Sequence, residues 1–205
     1  FESPTLGELA YRADGTGGFN TDLKAQSSAQ LEGGLKVRSA AADWDLSVFE
    51  ARTDNEIGVA TNAAGRASFQ NVGRTLRRGL ELGGTWRLGR QWQARLAATW
   101  LQATYQDRFL TCEAAGCTVP SAVVNPGLRM AGTPWAWSHA ELRRTDPLWG
   151  TAALEWRVVG AVPVNDRNTD RAAGHGLVGL RWSRAWQLGG SWRLESLWRV
   201  DNLLD

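Results

Sequence analysis

Apolar and polar residues alternate with a period of two along most of the chain. In residues 29–38 the odd positions are apolar or glycine, and the even positions are glutamine, glutamate, glycine, lysine and arginine. The same alternation recurs in residues 44–48, 79–88, 92–100, 150–158 and 192–200. Because successive side chains of a strand point to opposite faces, this period predicts β-strands with one apolar and one polar face, not amphipathic helices.

The connections between the predicted strands alternate between short and long. Short turns are expected near residues 40–42, 89–90, 145–147 and 185–190, and long polar excursions at 6–27, 106–127 and 161–174. Residues 52–78 are expected to form strands of about twenty residues around a hairpin tip at 62–65. A tilted span needs only ~9–11, so the surplus should project beyond the membrane as a hairpin. Short turns on one side and long loops on the other are typical of bacterial outer-membrane barrels. We therefore expect an all-β fold, about nine strands of a larger antiparallel transmembrane β-barrel.

The energy of burial fixes which face meets lipid. If the apolar face of residues 31–37 were turned inward, Glu32, Lys36 and Arg38 would face lipid. Each basic group near the midplane would cost ~2–4 kcal/mol. The inverted register would therefore cost on the order of 5–10 kcal/mol, comparable to the net stability of a whole domain. We expect the charged face to line a water-filled lumen.

Twelve of the 205 residues are tryptophan. Five of them lie within about three residues of an expected short turn: Trp44, Trp86, Trp92, Trp149 and Trp192. Tryptophan in the core of a soluble β-domain is one explanation. Their common position at one end of the strands favours an aromatic girdle at a membrane interface.

Composition adds few constraints on partners. The net charge of +2 gives no reason to expect a nucleic-acid partner. No segment approaches the ~18 apolar residues of a membrane helix, and the mean hydropathy of −0.33 is compatible with alternating strands. The chain begins at Phe1 in mid-pattern and ends just after a strand-like run, so we expect a piece of a longer protein.

Two cysteines, Cys112 and Cys117, lie in a polar, glycine-containing segment. The spacing favours a local disulfide and an oxidising compartment over two free thiols. A metal site is disfavoured because no partner ligands lie nearby.

No catalytic or cofactor signature stands up in context. His139 and His175 are isolated, and no Ser/His/Asp set has local support. The stretch GHGLVG at residues 174–179 matches a dinucleotide-binding fingerprint, but it follows a polar loop and leads into alternating residues instead of a helix. We expect no catalytic residues, no metal, no cofactor and no enzymatic activity.

Long loops over a barrel mouth are where ligand recognition should concentrate. The candidate ligand-binding residues are the polar groups of these loops: Arg12, Asp14, Asn20, Arg108, Asp166, Arg167, Asn168 and Arg171. The alternative is that most of them are merely solvated loop residues. A Cys112–Cys117 bond would order one loop in advance and lower the entropy lost on ligand binding.

Several segments resemble TonB-dependent outer-membrane receptors. They are FESPTLGEL at residues 1–9, DNEI at 54–57, NVGRTLRRGLEL at 71–82, WLQATY at 100–105, VNDRNT at 164–169 and RVDNLLD at 199–205. Most are weak alone, but together they follow family order along nearly the whole chain. The opening segment and the Cys112/Cys117 pair also resemble receptors associated with pyrroloquinoline quinone uptake, while residues 132–137 depart from that subgroup.

The resemblance implies more than the alternation does. Such receptors have a 22-stranded barrel closed by an N-terminal plug, and they import a scarce ligand with energy supplied through TonB. Residues 1–205 would then be the C-terminal part of the barrel in the bacterial outer membrane, without plug, TonB box, first half or final strand. The expected partners are outer-membrane lipid, TonB through the absent N-terminal part, and a small ligand such as a ferric siderophore or pyrroloquinoline quinone. The alternative is a passive porin or an autotransporter-type barrel.

Overall fold

A computed structural model describes residues 1–63, 66–114 and 116–204. A short helix, α1 (Leu6–Leu9), begins at a capping box in which the side chains of Thr5 and Glu8 each accept from the other's backbone N–H. The rest of the regular structure is β. Residues 64–65 of the expected hairpin tip lie outside the described residues. No helix in the described part has the length and apolar character needed to cross a membrane.

Eight strands form one antiparallel sheet. They are β1 (Ser27–Arg38), β2 (Ala42–Asp54), β5 (Thr75–Leu88), β6 (Trp92–Tyr105), β9 (Ala136–Asp146), β10 (Gly150–Val159), β13 (His175–Gly189) and β14 (Trp192–Val200). They lie side by side in chain order, with β1 and β14 at the edges. The described part of the wall therefore has eight strands where the sequence predicted about nine. The remaining strands of the chain are not part of this sheet, because they pair only with one another in the loops.

Three small two-stranded sheets lie within the long connections. They pair β3 (Ile57–Ala63) with β4 (Arg66–Asn71), β7 (Phe109–Thr111) with β8 (Ala122–Val124), and β11 (Val162–Pro163) with β12 (Arg171–Ala172). The strands of about twenty residues expected over 52–78 are each divided in two, and the surplus forms the β3–β4 hairpin as a separate sheet between β2 and β5. The chain leaves the wall at Asn55 and returns at Gly73, both with positive φ. A Cβ at Gly73 would lie 2.7 Å from an Asp107 oxygen. Both the positive φ and this close approach therefore require glycine at position 73.

The connections alternate as expected. Short turns occupy residues 39–41, 89–91, 147–149 and 190–191, and long loops occupy 55–74, 106–135 and 160–174. The third turn lies later than predicted because β9 continues to Asp146, whose carboxylate accepts from the backbone N–H groups of Leu148 and Trp149. The fourth is also later, since β13 runs on through a bulge near Gly189.

The register gives the sheet one apolar and one polar face. Residues directly opposite in antiparallel strands share a face. One such row is Leu35, Leu46, Leu82 and Ala98 across β1, β2, β5 and β6. The row beside it starts with Lys36 opposite Asp45. Across the middle of the wall the observed pairing thus keeps apolar and charged residues on opposite sides, while Glu50, Arg52 and Arg78 lie on the apolar face at its loop end.

The polar face carries a network of ion pairs. Arg181 lies 2.8 Å from Glu141 and 3.3 Å from Glu155, and Arg199 lies 3.2 Å from Glu155. Both glutamates are buried, with 8% of each residue exposed. Because buried carboxylates require partners, this network favours the water-facing side for the charged set.

Tryptophans gather on the apolar face near the short turns. Trp44 packs edge-on against Trp86 with ring centroids 3.7 Å apart, and Gly84 leaves room for the Trp44 ring. Trp149 and Trp192 lie beside the later turns and are largely exposed. This placement agrees with the expected interfacial girdle.

The hydrophobic core lies under the long loops and not between layers. Val72, Tyr105 and Val124 are buried together, and Phe109, Leu128 and Met130 pack against them. A single-layer wall has no interior of its own, so the largest cluster forms where loop residues fold back on strand ends. This cluster gives the loop end of the wall a fixed base.

Candidate ligand-binding loops

The N-terminal candidates Arg12, Asp14 and Asn20 lie beside the β3–β4 hairpin. Asn20 is buried, and its side-chain amide donates to the carbonyl of Phe69 at 2.8 Å. The Asp14 carboxylate accepts from the hydroxyl and backbone N–H of Thr16, and these bonds hold the pKa of Asp14 below its usual value. Asp14 and Asn20 therefore stabilise local structure, whereas Arg12 is exposed at the same end of the hairpin.

Three consecutive candidates, Asp166, Arg167 and Asn168, fasten the loop at 160–174 to the loop at 106–135. Asp166 accepts from the Tyr105 hydroxyl at 2.6 Å, and Arg167 pairs with Glu113 at 2.6 Å. The attachment of the 160–174 loop to the neighbouring loop and strand end therefore rests on several side-chain contacts.

Asn168 makes the most specific of these contacts. Its side chain accepts from the backbone N–H of Arg129 at 2.8 Å and donates to the carbonyl of the same residue at 2.8 Å. Asn168 has φ of 57°, a left-handed conformation that asparagine tolerates better than most residues. The position thus needs both the backbone tolerance and the amide of asparagine.

The disulfide predicted from the sequence is present between Cys112 and Cys117. It encloses Glu113, the partner of Arg167. The bond limits the conformations open to Glu113 before any contact with the neighbouring loop. Residue 115 inside the disulfide loop lies outside the described residues.

A cavity of about 330 Å³ opens between the loops. Its lining includes Tyr105, Thr111, Glu113, Asn165 and Asp166, and residues 58–61 of the hairpin form another wall. Hydroxyl, carboxamide and carboxylate oxygens therefore converge with a few apolar groups, as in sites that orient a small ligand. Tyr105 and Thr111 were not among the predicted site residues. The position of Tyr105 at the loop end of a strand was the one sequence signal that could have indicated it.

Arg108 and Arg171 differ from the other candidates. Both are exposed, and neither guanidinium has a hydrogen bond or ion pair to the described part of the chain, although the backbone of Arg171 pairs with Pro163 between β11 and β12. Arg171 lies close enough to Arg129 to contribute, after the larger effect of burial, to lowering the pKa of Arg129. Guanidinium groups without carboxylate partners are available to anions.

Asp107 fixes the base of the loop at 106–135. Its carboxylate accepts from the side chain of Arg74 at 2.7 Å and from the backbone N–H of Arg74 at 2.8 Å. These bonds hold the pKa of Asp107 below its usual value. The loop end thus has a disulfide, ion pairs and backbone-directed bonds, while no group of three or more His, Cys, Asp or Glu is placed to hold a metal ion in the described ranges.

Residues 1–203 match the family model described as TonB dependent receptor-like, beta-barrel. The chain belongs to this family of receptors. Family members are outer-membrane proteins of Gram-negative bacteria. The match places the chain among TonB-dependent receptors, not among porins or autotransporters, and the apolar face of the sheet is the one that meets lipid.

Solved structures have the same fold. The chain is similar to the copper transporter OprC, with 18% sequence identity and a TM-score of 0.71. The match covers 98% of this chain and 29% of that protein. The match to BauA, the ferric preacinetobactin receptor of Acinetobacter baumannii, has 17% identity and a TM-score of 0.64, and it covers 99% of this chain and 28% of that protein. The match to PfeA, the ferric enterobactin receptor of Pseudomonas aeruginosa in complex with enterobactin, has 16% identity and a TM-score of 0.65, and it covers 99% of this chain and 31% of that protein. The chain thus spans less than a third of these proteins, whose names describe transporters and receptors.

Proposed function

We propose that the chain is the C-terminal part of the barrel of a TonB-dependent receptor that imports a scarce small ligand across the outer membrane. The observation that carries the proposal is the family match over residues 1–203. The ligand is captured at the long loops, and energy reaches the receptor through a TonB contact in a part of the protein outside this chain. The chain catalyses no reaction.

The geometry of the loops supports capture at this end. Two loops are joined through Asp166, Arg167 and Asn168, and the disulfide at Cys112 restricts the loop that carries Glu113. Because a loop ordered in advance loses less entropy on binding, this arrangement favours affinity for a dilute ligand.

The exposed arginines indicate an anionic or oxygen-rich ligand. Arg108 has no carboxylate partner in the described part of the chain, and Arg167 uses one guanidinium nitrogen for Glu113, which leaves other donors. Planar guanidiniums suit carboxylates and catecholates by paired hydrogen bonds. A ferric siderophore or similar iron chelate is our first candidate, consistent with the ligands named for BauA and PfeA. Pyrroloquinoline quinone, a tricarboxylate, is the second.

The test is a binding screen on the purified full-length receptor. Ferric catecholate, ferric hydroxamate and pyrroloquinoline quinone are titrated separately, by calorimetry or fluorescence. An Arg108→Gln/Arg167→Gln variant should weaken binding of the true ligand about 100-fold, since each charge-assisted bond contributes roughly 1.5 kcal/mol. Arg90→Gln, in the short turn at 89–91 at the other end of the wall, is the matched control and should bind normally.

Two results would contradict the proposal. One is that no ligand of either class binds the full-length receptor. The other is that the loop variant binds as tightly as the Arg90→Gln control. The inference that the chain is no enzyme fails if a serine- or cysteine-directed probe labels the receptor stoichiometrically and abolishes a chemical activity.

A further inference from the structure

Arginines also gather on the lipid-facing side of the wall, at the loop end. Arg78 of β5 lies opposite Glu50 and Gln102, on the same face as Leu80 and Leu82. Arg129 forms a bridge opposite Thr104, which lies two residues beyond Gln102 on that face of β6. These arginines are therefore outside the barrel wall and not in the lumen.

The height of Arg78 along the strand matches the edge of the membrane. The apolar stretch on this face of β5 runs over residues 80–86, with its centre near Gly83. Arg78 is five residues away, or about 16 Å along the strand at ~3.3 Å per residue. With a tilt of about 40°, this places Arg78 roughly 13 Å above the midplane, at the margin of an apolar band ~25 Å tall.

Positive charge exceeds negative charge at this margin. Arg52 and Arg78 share the single carboxylate of Glu50, at 2.7 and 2.6 Å. The guanidinium of Arg129 donates to the carbonyl of Leu101 at 2.9 Å and has no carboxylate partner in the described ranges. On this face three guanidiniums, Arg52, Arg78 and Arg129, lie near two carboxylates, Glu50 and Asp54, while nearby Arg74 is neutralised by Asp107.

A shallow depression of about 430 Å³ lies between these arginines and the apolar band. Arg78, Gln102 and Arg129 supply hydrogen-bond donors along its lining, and Trp100 and Trp135 supply apolar surface. The two tryptophans are 44% and 50% exposed. Tryptophan is enriched where headgroups meet acyl chains, and guanidinium pairs well with phosphate.

We propose that Arg52, Arg78 and Arg129 bind the phosphate of a phosphorylated lipid headgroup in the outer leaflet. The acyl chains continue onto the apolar face below, beside Trp100. This site is outside the wall, so it is separate from the ligand site of the proposed function.

The experiment uses the full-length receptor in detergent micelles, with bound lipid counted by native mass spectrometry. The probes are diphosphorylated lipid A and chemically dephosphorylated lipid A, and 10-fold excess inorganic phosphate is the competitor. The test variant is Arg78→Gln/Arg129→Gln, and the control is Arg90→Gln/Arg193→Gln at the short-turn end. At ~1 kcal/mol for each arginine near a charged membrane surface, diphosphorylated lipid A should bind about 30-fold more weakly to the test variant.

The expected result is loss of phosphorylated lipid with unchanged binding of the imported ligand. Equal lipid binding by test and control variants would overturn the proposal, as would equally tight binding of dephosphorylated lipid A. Displacement by inorganic phosphate would also overturn it, because the site would then be a simple anion site. If the double variant fails to fold, Arg78→Gln alone is measured, since Glu50 retains Arg52 as a partner and the wall is less perturbed.

Discussion

A single arginine at the centre of β5 should distinguish the two faces of the wall. Leu82 lies on the apolar face between Leu46 and Ala98, and Gly83 lies on the polar face. Leu82→Arg places a guanidinium in lipid near the midplane, at a cost of ~2–4 kcal/mol. Gly83→Arg directs the same group to water, and a Cβ at Gly83 would meet no heavy atom within 4 Å. Its cost should be below about 1 kcal/mol, because it fills open space.

The assay is unfolding by urea of the full-length receptor in phospholipid vesicles, followed by tryptophan fluorescence and by the heat-dependent gel mobility of folded barrels. Leu82→Arg should lower the free energy of unfolding by ~2–4 kcal/mol relative to Gly83→Arg. Equal costs for the two variants, or a larger cost for Gly83→Arg, would refute the assignment of lipid to the apolar face.

Three further predictions concern packing, the disulfide and pH. Gly79→Ala should destabilise the receptor by about 1–3 kcal/mol in the same assay, because a Cβ there would overlap the Phe49 ring. Cys112→Ser should lower the stability of the disulfide loop by about 2 kcal/mol, because the open chain gains conformational entropy. Faster hydrogen exchange across residues 109–124 and weaker ligand binding would measure this loss. Because its pKa is lowered by Arg74, the Asp107 carboxylate should protect the Arg74 amide from exchange at all pH values above the ordinary aspartate range. That protection should be lost only as pH falls through the lowered pKa.

Each of these has a control and a contradicting outcome. Gly83→Ala should leave stability unchanged, and equal costs at both glycines would refute the steric argument. Reducing agent applied to the wild type should reproduce the effect of Cys112→Ser. An Asp107→Ala variant that keeps full protection of the Arg74 amide would contradict the role given to that carboxylate.

The wall could be predicted from sequence because lipid and water impose opposite demands on alternate residues. Leu80 and Glu81 must point to different solvents, so their order alone fixes strand and face. The disulfide could also be predicted, since two cysteines five positions apart in one polar segment have few other structural roles.

The loops could not be predicted to the same depth. The strand breaks at Asn55 and Gly73 depend on backbone conformations that alternation does not reveal. The bond from Tyr105 to Asp166 joins residues 61 positions apart, and no periodic signal connects them. Asn168 was predicted as a ligand group, whereas the structure places its amide on the backbone of Arg129; its contact with ligand stays a prediction.

Energised uptake by cells is the most direct test of the central claim. The full-length receptor is expressed in a strain with TonB and in a matched strain without it, and accumulation of the ligand identified by the screen is measured at low concentration. The account predicts that accumulation requires TonB while surface binding does not. Equal accumulation in both strains would contradict it and would indicate a passive channel.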